Sequence, residues 1–516
     1  MRLGVGILAE TPQWREMLRQ EGVPHKRADL AANNLVGDIA VLIVNRNLYD
    51  KERILVEEYL SRGGAVLGFS HHLQGVAGTQ HRAEKVEYIA GDHDTLFPEV
   101  HLLDVSRECL VPREANCLKT QAGTFSVFAG SLYGGHAVVL PFDIEELVGD
   151  HRSVNKNFYS TIDRLPSEQV SVVGKGEARH LVGRAIEYLH HARGLPYLHL
   201  WYFPSGQKNL FAFRIDSDGA PQHDVDALYA VARDHNVPMT WFLDVKSHEQ
   251  WLRHFRVMVG QEFGVHCYEH QTYPTREANL RNIQQAKRLM EAEGLSTAGF
   301  AAPFGMWNTE LAKAVEEIGF EYTSEFSFAY DTFPMHPIID DRQYTLQIPV
   351  HPICIGSMRK VGYSEKRMIE YYHMVIAQKL ARREPLFFYH HPLHRCWNVV
   401  SALFQEARSH GIESTTLGEY ARWWKKREIV ELTATIDGGI IHTQCVAANE
   451  TCWARVTTSG NRESFTPLSD TINLLHLAWH QLPSPPPAPA DIRRIREFDP
   501  RAMVGKLYTA LSRRFK

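Results

Sequence analysis

The sequence lacks several patterns that would assign a protein class at once. Its seven cysteines are scattered, odd in number and free of any C-x-x-C pair, which argues against a disulfide framework and favours a reducing compartment. No apolar run approaches the roughly 18 residues of a membrane-spanning helix. No G-x-G-x-x-G motif follows a predicted strand, so there is no dinucleotide-binding fingerprint. The formal net charge of -4 indicates no concentrated basic surface, and we expect no nucleic-acid partner.

The beginning of the chain also lacks the features of a secretion signal. Its apolar stretch is short and meets Glu10 at once, whereas a signal peptide needs a longer apolar segment. We therefore expect a cytoplasmic protein. A chain of 516 residues is too long for one hydrophobic core, and about three domains are expected.

Residues 1–200 alternate between short apolar strands and amphipathic helices. The predicted strands are Leu3–Ala9, Ile39–Val44 and Ala65–Phe69, and the predicted helices are Pro12–Gln20, Lys51–Arg62 and His180–Arg193. This alternation indicates a parallel, doubly wound α/β sheet. It resembles flavodoxin-like domains and class I glutamine-amidotransferase-like domains in fold. Where that amidotransferase family carries its nucleophilic cysteine, this chain has Ser70-His71-His72, so we expect a plain loop and assign the domain no chemistry.

Residues 201–426 alternate again, with polar residues after successive strands. The predicted strands are Asn209–Asp216, Met239–Leu243, Glu262–His266 and Leu386–Tyr389, and the predicted helices are Val225–His235, Ser247–Val257, Arg276–Glu293 and Asn308–Ile318. Polar residues at the carboxyl ends of strands are typical of (β/α) barrels, whose active sites are built there. We predict a barrel-like second domain.

The remaining sequence predicts two further segments. Residues 427–482 contain short β segments separated by Asp437-Gly438 and Ser459-Gly460, which indicates a small antiparallel module. Residues 483–516 begin with a proline-rich spacer and end in a basic amphipathic helix with Val504, Leu507, Tyr508, Leu511 and Phe515 on one face. Such a helix can rest on an anionic membrane, dock on a partner or remain a solvated tail.

Four motifs with chemical potential follow one another in the second domain. They are Asp216-Ser217-Asp218-Gly219, the pair His266 and His270, the loop Pro303-Phe304-Gly305, and His390-His391-Pro392. With 28 histidines in the chain, about one or two H-x-x-x-H pairs are expected by chance, and three are present. The pair His266/His270 differs from the others because it follows a strand and lies downstream of the two aspartates.

Taken together, the four motifs resemble the polysaccharide deacetylase family, the NodB-homology domain of carbohydrate esterase family 4. That family has an aspartate pair with glycine, then H-x-x-x-H, then R-x-P-[YF]-G, then a histidine after a late strand. The resemblance covers residues 209–424 and implies an irregular (β/α) barrel.

The resemblance also implies a role for each matching residue. Asp218, His266 and His270 would bind a divalent metal, with Zn²⁺ favoured, since three ligands with open positions suit a catalytic zinc. Asp216 would be the general base. The backbone N–H of Phe304 would help bind the oxyanion. His391 would protonate the departing amine, with His390 as the alternative.

Two features depart from the family pattern. Ser217 separates the aspartates, although alternate residues of an extended chain share a face. The arginine expected two residues before Pro303 is replaced by Ala301, and we expect Arg214, two residues before Asp216, to pair with Asp216 instead. A structural role for Arg214 stays open. Asp331, near Phe333, is a candidate for the family's acidic-aromatic motif, which has no clean match here. His351 is a candidate for the lining of the cleft, with a core or loop histidine as the favoured alternative, and Trp307 and Asn308 are expected to support the Pro303 loop.

These observations predict a metal-dependent hydrolase that removes the N-acetyl group from a sugar or glycoconjugate. The expected substrate is a cytoplasmic glycan precursor, a lipid-linked sugar or a small glycoconjugate, and the basic tail would allow contact with the inner membrane. Two alternatives stay open: a related C–N hydrolase, such as an aminosugar deformylase or another amidase, and an inactive glycan-binding or scaffold protein, which Ala301 favours. The sugar and the oligomeric state do not follow from the sequence.

Overall fold

The computed structural model describes residues 1–32, 34–76, 80–91, 96–98, 100–159 and 164–483. Nearly all of the predicted proline-rich spacer and the whole basic amphipathic helix lie outside these residues. Three regions follow one another along the chain: a mixed sheet with flanking helices, a parallel half-barrel and small antiparallel sheets. The fold is therefore mixed α/β and multidomain, as the sequence predicts.

The N-terminal region is built on a nine-stranded sheet with the order β2-β1-β3-β4-β9-β8-β7-β5-β6. Its strands, with a separate hairpin β10–β11, are β1 Val5–Ile7, β2 His25–Arg27, β3 Val41–Val44, β4 Ala65–Phe69, β5 His81–Ala90, β6 Leu103–Pro112, β7 Cys117–Thr120, β8 Phe125–Leu132, β9 Gly135–Leu140, β10 Ser153–Tyr159 and β11 Arg164–Ser171. The helices are α1 Pro12–Glu21, α2 Leu35–Asp38, α3 Asp50–Ser61, α4 Ile144–Val148 and α5 Lys175–Ala192.

Only half of this sheet follows the parallel pattern that the sequence predicts. Strands β2, β1, β3, β4 and β9 are parallel, and β1, β3 and β4 are buried along their whole length, as parallel strands between helices are. Strands β5–β8 are joined in antiparallel pairs. The alternation prediction did not find them because they add to one sheet edge without intervening helices.

The second region is an open parallel sheet with the order β17-β16-β15-β14-β13-β20, with β21 beside β13. Its strands are β13 Phe211–Asp216, β14 Met239–Leu243, β15 Glu262–Val265, β16 Gly299–Phe300, β17 Tyr322–Thr323, β20 Leu386–His390 and β21 Ser414–Thr415, and a small hairpin pairs β18 Ile338–Ile339 with β19 Arg342–Gln343. The helices are α6 Gln222–His235, α7 Val245–His248, α8 Arg276–Ala292, α9 Thr309–Ile318, α10 Ile355–Lys360, α11 Glu365–Ala381, α12 Trp397–Ser409 and α13 Leu417–Glu428.

The C-terminal region contains two small antiparallel sheets, β22-β23-β26 and β12-β24-β25-β27. Their strands are β12 Tyr197–Leu200, β22 Glu431–Asp437, β23 Ile440–Val446, β24 Trp453–Thr458, β25 Arg462–Pro467, β26 Thr471–Asn473 and β27 His480–Gln481. Strand β12 comes from far upstream, so this module is not contiguous in sequence. Leu198 and Leu200 explain the pairing, because they pack with Ala454 and Val456 in one core cluster.

Helix α5 connects the N-terminal sheet to the half-barrel through buried polar contacts. Lys175 Nζ donates to the carbonyl of Phe328 at 2.8 Å, and His180 Nε2 lies 2.6 Å from Glu384 Oε1. The helix begins at Lys175 rather than at the predicted His180. Among the described residues, no helix is long and apolar enough to cross a membrane.

Candidate active site

The candidate site lies at the carboxyl ends of the half-barrel strands. Strand β13 ends at Asp216, β15 ends just before His266, and β20 ends just before His391. Parallel strands bring their carboxyl ends to one edge of the sheet, so residues distant in sequence meet there. This placement explains why the four motifs follow strands.

Asp218, His266 and His270 converge on one point. Asp218 Oδ1 lies 3.2 Å from His266 Nε2 and 3.0 Å from His270 Nε2, and the two Nε2 atoms are 3.3 Å apart. Asp218 has a φ angle of 34° and Cys267 one of 67°, both in the left-handed region that non-glycine residues seldom adopt. Two unfavourable turns thus hold the three donor groups together.

The tautomer of His266 follows from a single contact. Its Nδ1 lies 2.7 Å from the backbone carbonyl of Ala301, which can only accept a hydrogen bond, so Nδ1 carries the proton. In the neutral ring, Nε2 then presents a lone pair toward the Asp218 carboxylate and toward His270. Lone pairs that face one another at about 3 Å need a cation or a proton between them. In addition, metal-binding histidines usually donate their other ring N–H to an acceptor such as a backbone carbonyl.

Arg214 binds Asp216 through two hydrogen bonds. Its Nε and Nη2 donate to the two carboxylate oxygens, each at 2.7 Å. The guanidinium is fully buried and also contacts Ser324 through its third nitrogen, Nη1. A bidentate pair of this kind fixes the plane of the carboxylate and compensates its charge.

Ser217 explains how the two aspartates reach one site although they are not adjacent. Its side chain is buried on the opposite side, where Oγ accepts from the backbone N–H of Asp244 at 2.9 Å and lies 2.8 Å from His248 Nε2. The intervening serine therefore anchors the turn while Asp216 and Asp218 stand on either side of it.

The two consecutive histidines after β20 point in different directions. His391 Nε2 lies 3.4 Å from Asp218 Oδ2 and 4.0 Å from Asp216 Oδ2. His390 is fully buried, and its Nε2 lies 2.7 Å from the carbonyl of Arg395. Of the two candidates for the general acid, the structure brings His391 to the carboxylates.

Phe304 lies at the mouth of the site. Its φ angle is 59°, its side chain is about half exposed, and its ring packs edge-on against His270 with centroids 4.9 Å apart. The turn of Phe304 is supported by the buried residues Pro303 and Gly305 on either side. Trp307 and Asn308 follow this turn. The backbone N–H of Trp307 donates to Ser327 Oγ, and Asn308 caps α9 by accepting the backbone N–H of Leu311.

Charge interactions within the site shift three pKa values. Burial opposes ionisation of Asp218, but His391, His266 and His270 hold its pKa well below the usual range. Burial opposes protonation of His270, whose pKa is nevertheless raised by Asp218. Burial likewise acts against His391, yet Asp218 and Cys354 raise its pKa to about 9.

Sequence reasoning missed two residues beside His391. Cys354, His391 and His394 offer donor atoms within 4.8 Å of one another. His394 belongs to a second H-x-x-x-H pair with His390, so a signal existed, whereas nothing in the sequence singles out Cys354. The other two candidates, Asp331 and His351, lie 2.9 Å apart in a cluster with Lys379 and Tyr371.

Comparison with known protein families identifies the half-barrel. The polysaccharide deacetylase family matches residues 214–323, which contain the aspartates, the histidine pair and the Pro303 loop. The region around residues 214–323 is a polysaccharide deacetylase domain. The family implies deacetylase activity and an acetylated carbohydrate substrate, and it is typically metal-dependent.

Solved structures of low sequence identity resemble part of the chain. A protein of Mycobacterium smegmatis, provisionally assigned as a polysaccharide deacetylase, is 16% identical, with 44% of this chain and 94% of that chain covered and a TM-score of 0.39. The family 4 carbohydrate esterase of Streptomyces lividans in complex with acetate is 14% identical, with 40% and 92% covered and a TM-score of 0.30. Puue allantoinase is 17% identical, with 43% and 92% covered and a TM-score of 0.36. A comparison with curated proteins gives no match.

Proposed function

We propose that the protein is a metal-dependent hydrolase that cleaves the N-acetyl amide of a sugar or glycoconjugate, releasing acetate and a free amine. The observation that carries the proposal is the set of lone pairs that Asp218, His266 and His270 turn toward one another at 3.0–3.3 Å. Such an arrangement needs a cation or a proton between the donors, and a divalent cation can bind all three at once.

The donor set suits Zn²⁺. Two imidazoles and one carboxylate are a common catalytic zinc set, and three protein ligands leave a position open for water or substrate. When bound, the metal supplies Lewis acidity and lowers the pKa of a coordinated water from about 15.7 to about 7. Asp218, with its low pKa, is available as an ionised ligand.

Asp216 accepts the proton of the attacking water in this proposal. Arg214 holds the carboxylate from the side opposite the solvent, with both bonds at 2.7 Å. Arg214 therefore does from the strand what the family's arginine does from the position now occupied by Ala301. The carbonyl of Ala301 supports His266 instead.

His391 donates a proton to the amine that leaves when the C–N bond breaks. It lies 3.4 Å from Asp218 Oδ2 and, with a pKa of about 9, is protonated at neutral pH in the metal-free site. The backbone N–H of Phe304 is our candidate donor to the oxyanion, a contribution of roughly 3–4 kcal/mol in comparable sites.

Ala301 is the observation that favours a different function. Loss of the usual arginine would suit an inactive glycan-binding or scaffold protein, and a changed support of the Asp216 carboxylate would suit an aminosugar deformylase or another amidase. The Arg214–Asp216 pair weighs against inactivity, because it supplies the same kind of charge to the same carboxylate.

The test is a matched panel of N-acetyl and N-formyl sugars incubated with the full-length protein. Acetate and formate are measured separately, before chelation, after chelation and after Zn²⁺ is restored. We expect acetate release that disappears on chelation and returns with the metal. Formate release alone would assign the deformylase alternative, and bound metal with neither product would assign the binding alternative. A protein that binds no metal would contradict the proposal.

A further inference from the structure

The N-terminal sheet also carries a histidine-aspartate cluster at the carboxyl ends of its parallel strands. Strand β4 ends at Phe69 and is followed by His71 and His72, while the neighbouring strand β9 ends at Leu140 and is followed by Asp143. Open α/β sheets bind their ligands at this edge. The sequence predicts only a plain loop for the His71-His72 stretch.

Three donor groups meet at this edge. His71, His72 and Asp143 place potential ligand atoms within 4.8 Å of one another. His72 Nε2 lies 3.2 Å from Asp143 Oδ2, and the two imidazole rings lie 3.7 Å apart between centroids. Two histidines and a carboxylate are a ligand set of the zinc type.

The surroundings of His72 resemble the support of a metal ligand. Its Nδ1 lies 3.1 Å from the amide oxygen of Asn47, an acceptor, so Nδ1 donates there. The lone pair of Nε2 then faces the Asp143 carboxylate in the neutral ring. Asp143 is itself oriented, because its other oxygen accepts the backbone N–H of Glu145 at 2.9 Å and so caps α4.

The charge balance at this edge favours a cation. Glu145 adds a second carboxylate, which accepts from Asn45 at 3.1 Å. Among the described residues, neither Asp143 nor Glu145 forms an ion pair with a lysine or arginine. A proton on His72 could compensate one of these charges, but it would leave His71 without a reason to lie at the same point.

We propose that His71, His72 and Asp143 bind a divalent transition-metal ion, with Zn²⁺ as the first candidate. The three ligands leave coordination positions open toward the carboxyl edge of the sheet. The site is independent of the deacetylase chemistry, because it uses separate residues on a separate sheet.

The experiment counts ions on the full-length chain. The protein is stripped with a chelator and dialysed against Zn²⁺ in the presence of a weak competing chelator, and bound metal is measured by elemental analysis. We expect one equivalent fewer in His71→Ala and in His72→Ala than in the unmodified chain. In a His266→Ala/His270→Ala background, we expect one equivalent that His71→Ala then removes. His254→Gln is the matched control, since His254 pairs with Asp226 at 2.6 Å and, within the described residues, belongs to no group of three potential metal ligands.

Cobalt substitution separates this site from the cluster of Cys354, His391 and His394. A cobalt ion bound by His71, His72 and Asp143 gives d–d absorption without a thiolate charge-transfer band, because no sulfur is present. Cobalt at Cys354 would produce that band, which Cys354→Ser would remove.

Three outcomes would overturn the proposal: an unchanged metal count in both histidine variants, an equivalent that disappears only with Cys354→Ser, or no bound ion in the His266→Ala/His270→Ala background. Thermal unfolding of each variant shows whether it is folded, and His71→Gln serves as the milder second variant. Because the deacetylase site is removed in the decisive background, failure of the deacetylase proposal leaves this test unaffected.

Discussion

The mixed N-terminal sheet and the parallel half-barrel sheet carry the same kind of donor set at the carboxyl ends of their parallel strands. In the half-barrel, Asp218 meets His266 and His270; in the N-terminal sheet, Asp143 meets His71 and His72. Both sets arise because parallel strands bring their carboxyl ends together. The ligand chemistry alone therefore does not distinguish the two places.

The surroundings of the two sets differ. The half-barrel adds a second carboxylate, Asp216, held by a buried arginine, and a further histidine, His391, close to both aspartates. The N-terminal set has supports, Asn47 and the cap of α4, but the described part of the chain places no comparable pair of groups beside it. Binding a metal needs the donors, whereas hydrolysis also needs groups that accept and return a proton. We therefore propose catalysis for the half-barrel and metal binding for the N-terminal set.

The largest effect should come from removing Asp218. We expect Asp218→Ala to lose at least ~10³-fold in turnover, because the metal contributes several kcal/mol and each ~1.4 kcal/mol is a factor of ten. Acetate release and metal content are measured on the same preparation. Asp226→Asn, an exposed acid on α6, is the control and should retain both. Full turnover in Asp218→Ala would mean that the reaction occurs at another site, and the half-barrel would no longer differ from the N-terminal set in this respect.

The second effect concerns the group that should return the proton. His391→Ala should lower turnover by ~10²–10⁴-fold, the usual contribution of a positioned acid, while metal remains bound. His390→Gln should act mainly on stability, because that ring is buried and bonded to the carbonyl of Arg395. Turnover and thermal unfolding are compared for both. A larger turnover loss in the folded His390 variant would reverse the assignment.

Much of this contrast could be predicted from the sequence. Strands β4 and β14 were located to the residue, because each is a short apolar run bounded by polar or glycine residues. The ordered motifs located Asp218, His266 and His270, and the spacing of two suggested the Arg214–Asp216 contact. The domain boundaries and the cytoplasmic location stay predictions.

The parts that could not be predicted depend on distant pairing. Strand β12 joins β24 across more than 250 residues, and no local pattern encodes that partner. The cluster of His71, His72 and Asp143 has the same origin, since Asp143 reaches the histidines only when β9 pairs with β4. A search limited to local spacing finds H-x-x-x-H but not this arrangement.

The third effect tests whether Arg214 has taken over the role of the missing arginine. We expect Arg214→Ala to lose ~10²-fold in turnover with metal retained, since a misplaced catalytic group can cost that much. The variant leaves Asp216 buried without its partner, which costs about 3–5 kcal/mol of stability, so folding is checked by thermal unfolding.

A second variant places an arginine at position 301, where the family carries it, and gives a more specific test of the role of Arg214. Arg214→Ala combined with Ala301→Arg should recover part of the turnover if both positions serve Asp216. A folded Arg214→Ala protein with unchanged turnover would make Arg214 structural and would remove the difference from the N-terminal set on which the assignment of catalysis depends.

The smallest effect concerns the junction between the two regions. His336 lies between α1 and α13. Its backbone N–H donates to Glu16 Oε1. In its ring, Nδ1 lies 2.7 Å from the carbonyl of Tyr344 and Nε2 lies 3.2 Å from Glu428 Oε2. Burial lowers its pKa, but Glu428 and Glu16 outweigh this and raise it to about 9. The folded state therefore binds a proton that the unfolded chain releases near its ordinary pKa of about 6.5.

The sign of the pH dependence follows from this difference. Because the pKa of His336 is higher in the folded state, its protonation stabilises the folded protein fully below pH ~6.5. This stabilisation is lost as the pH rises to about 9. Thermal unfolding across this range should show a decline that is smaller in His336→Gln, by at most about 3 kcal/mol at ~1.4 kcal/mol per pKa unit, because His391 still contributes a decline of the same sign. His254→Gln, far from the junction, should keep the decline of the unmodified protein. Parallel curves for His336→Gln and the unmodified protein would mean that the two sheets are joined by packing, without a contribution from this proton.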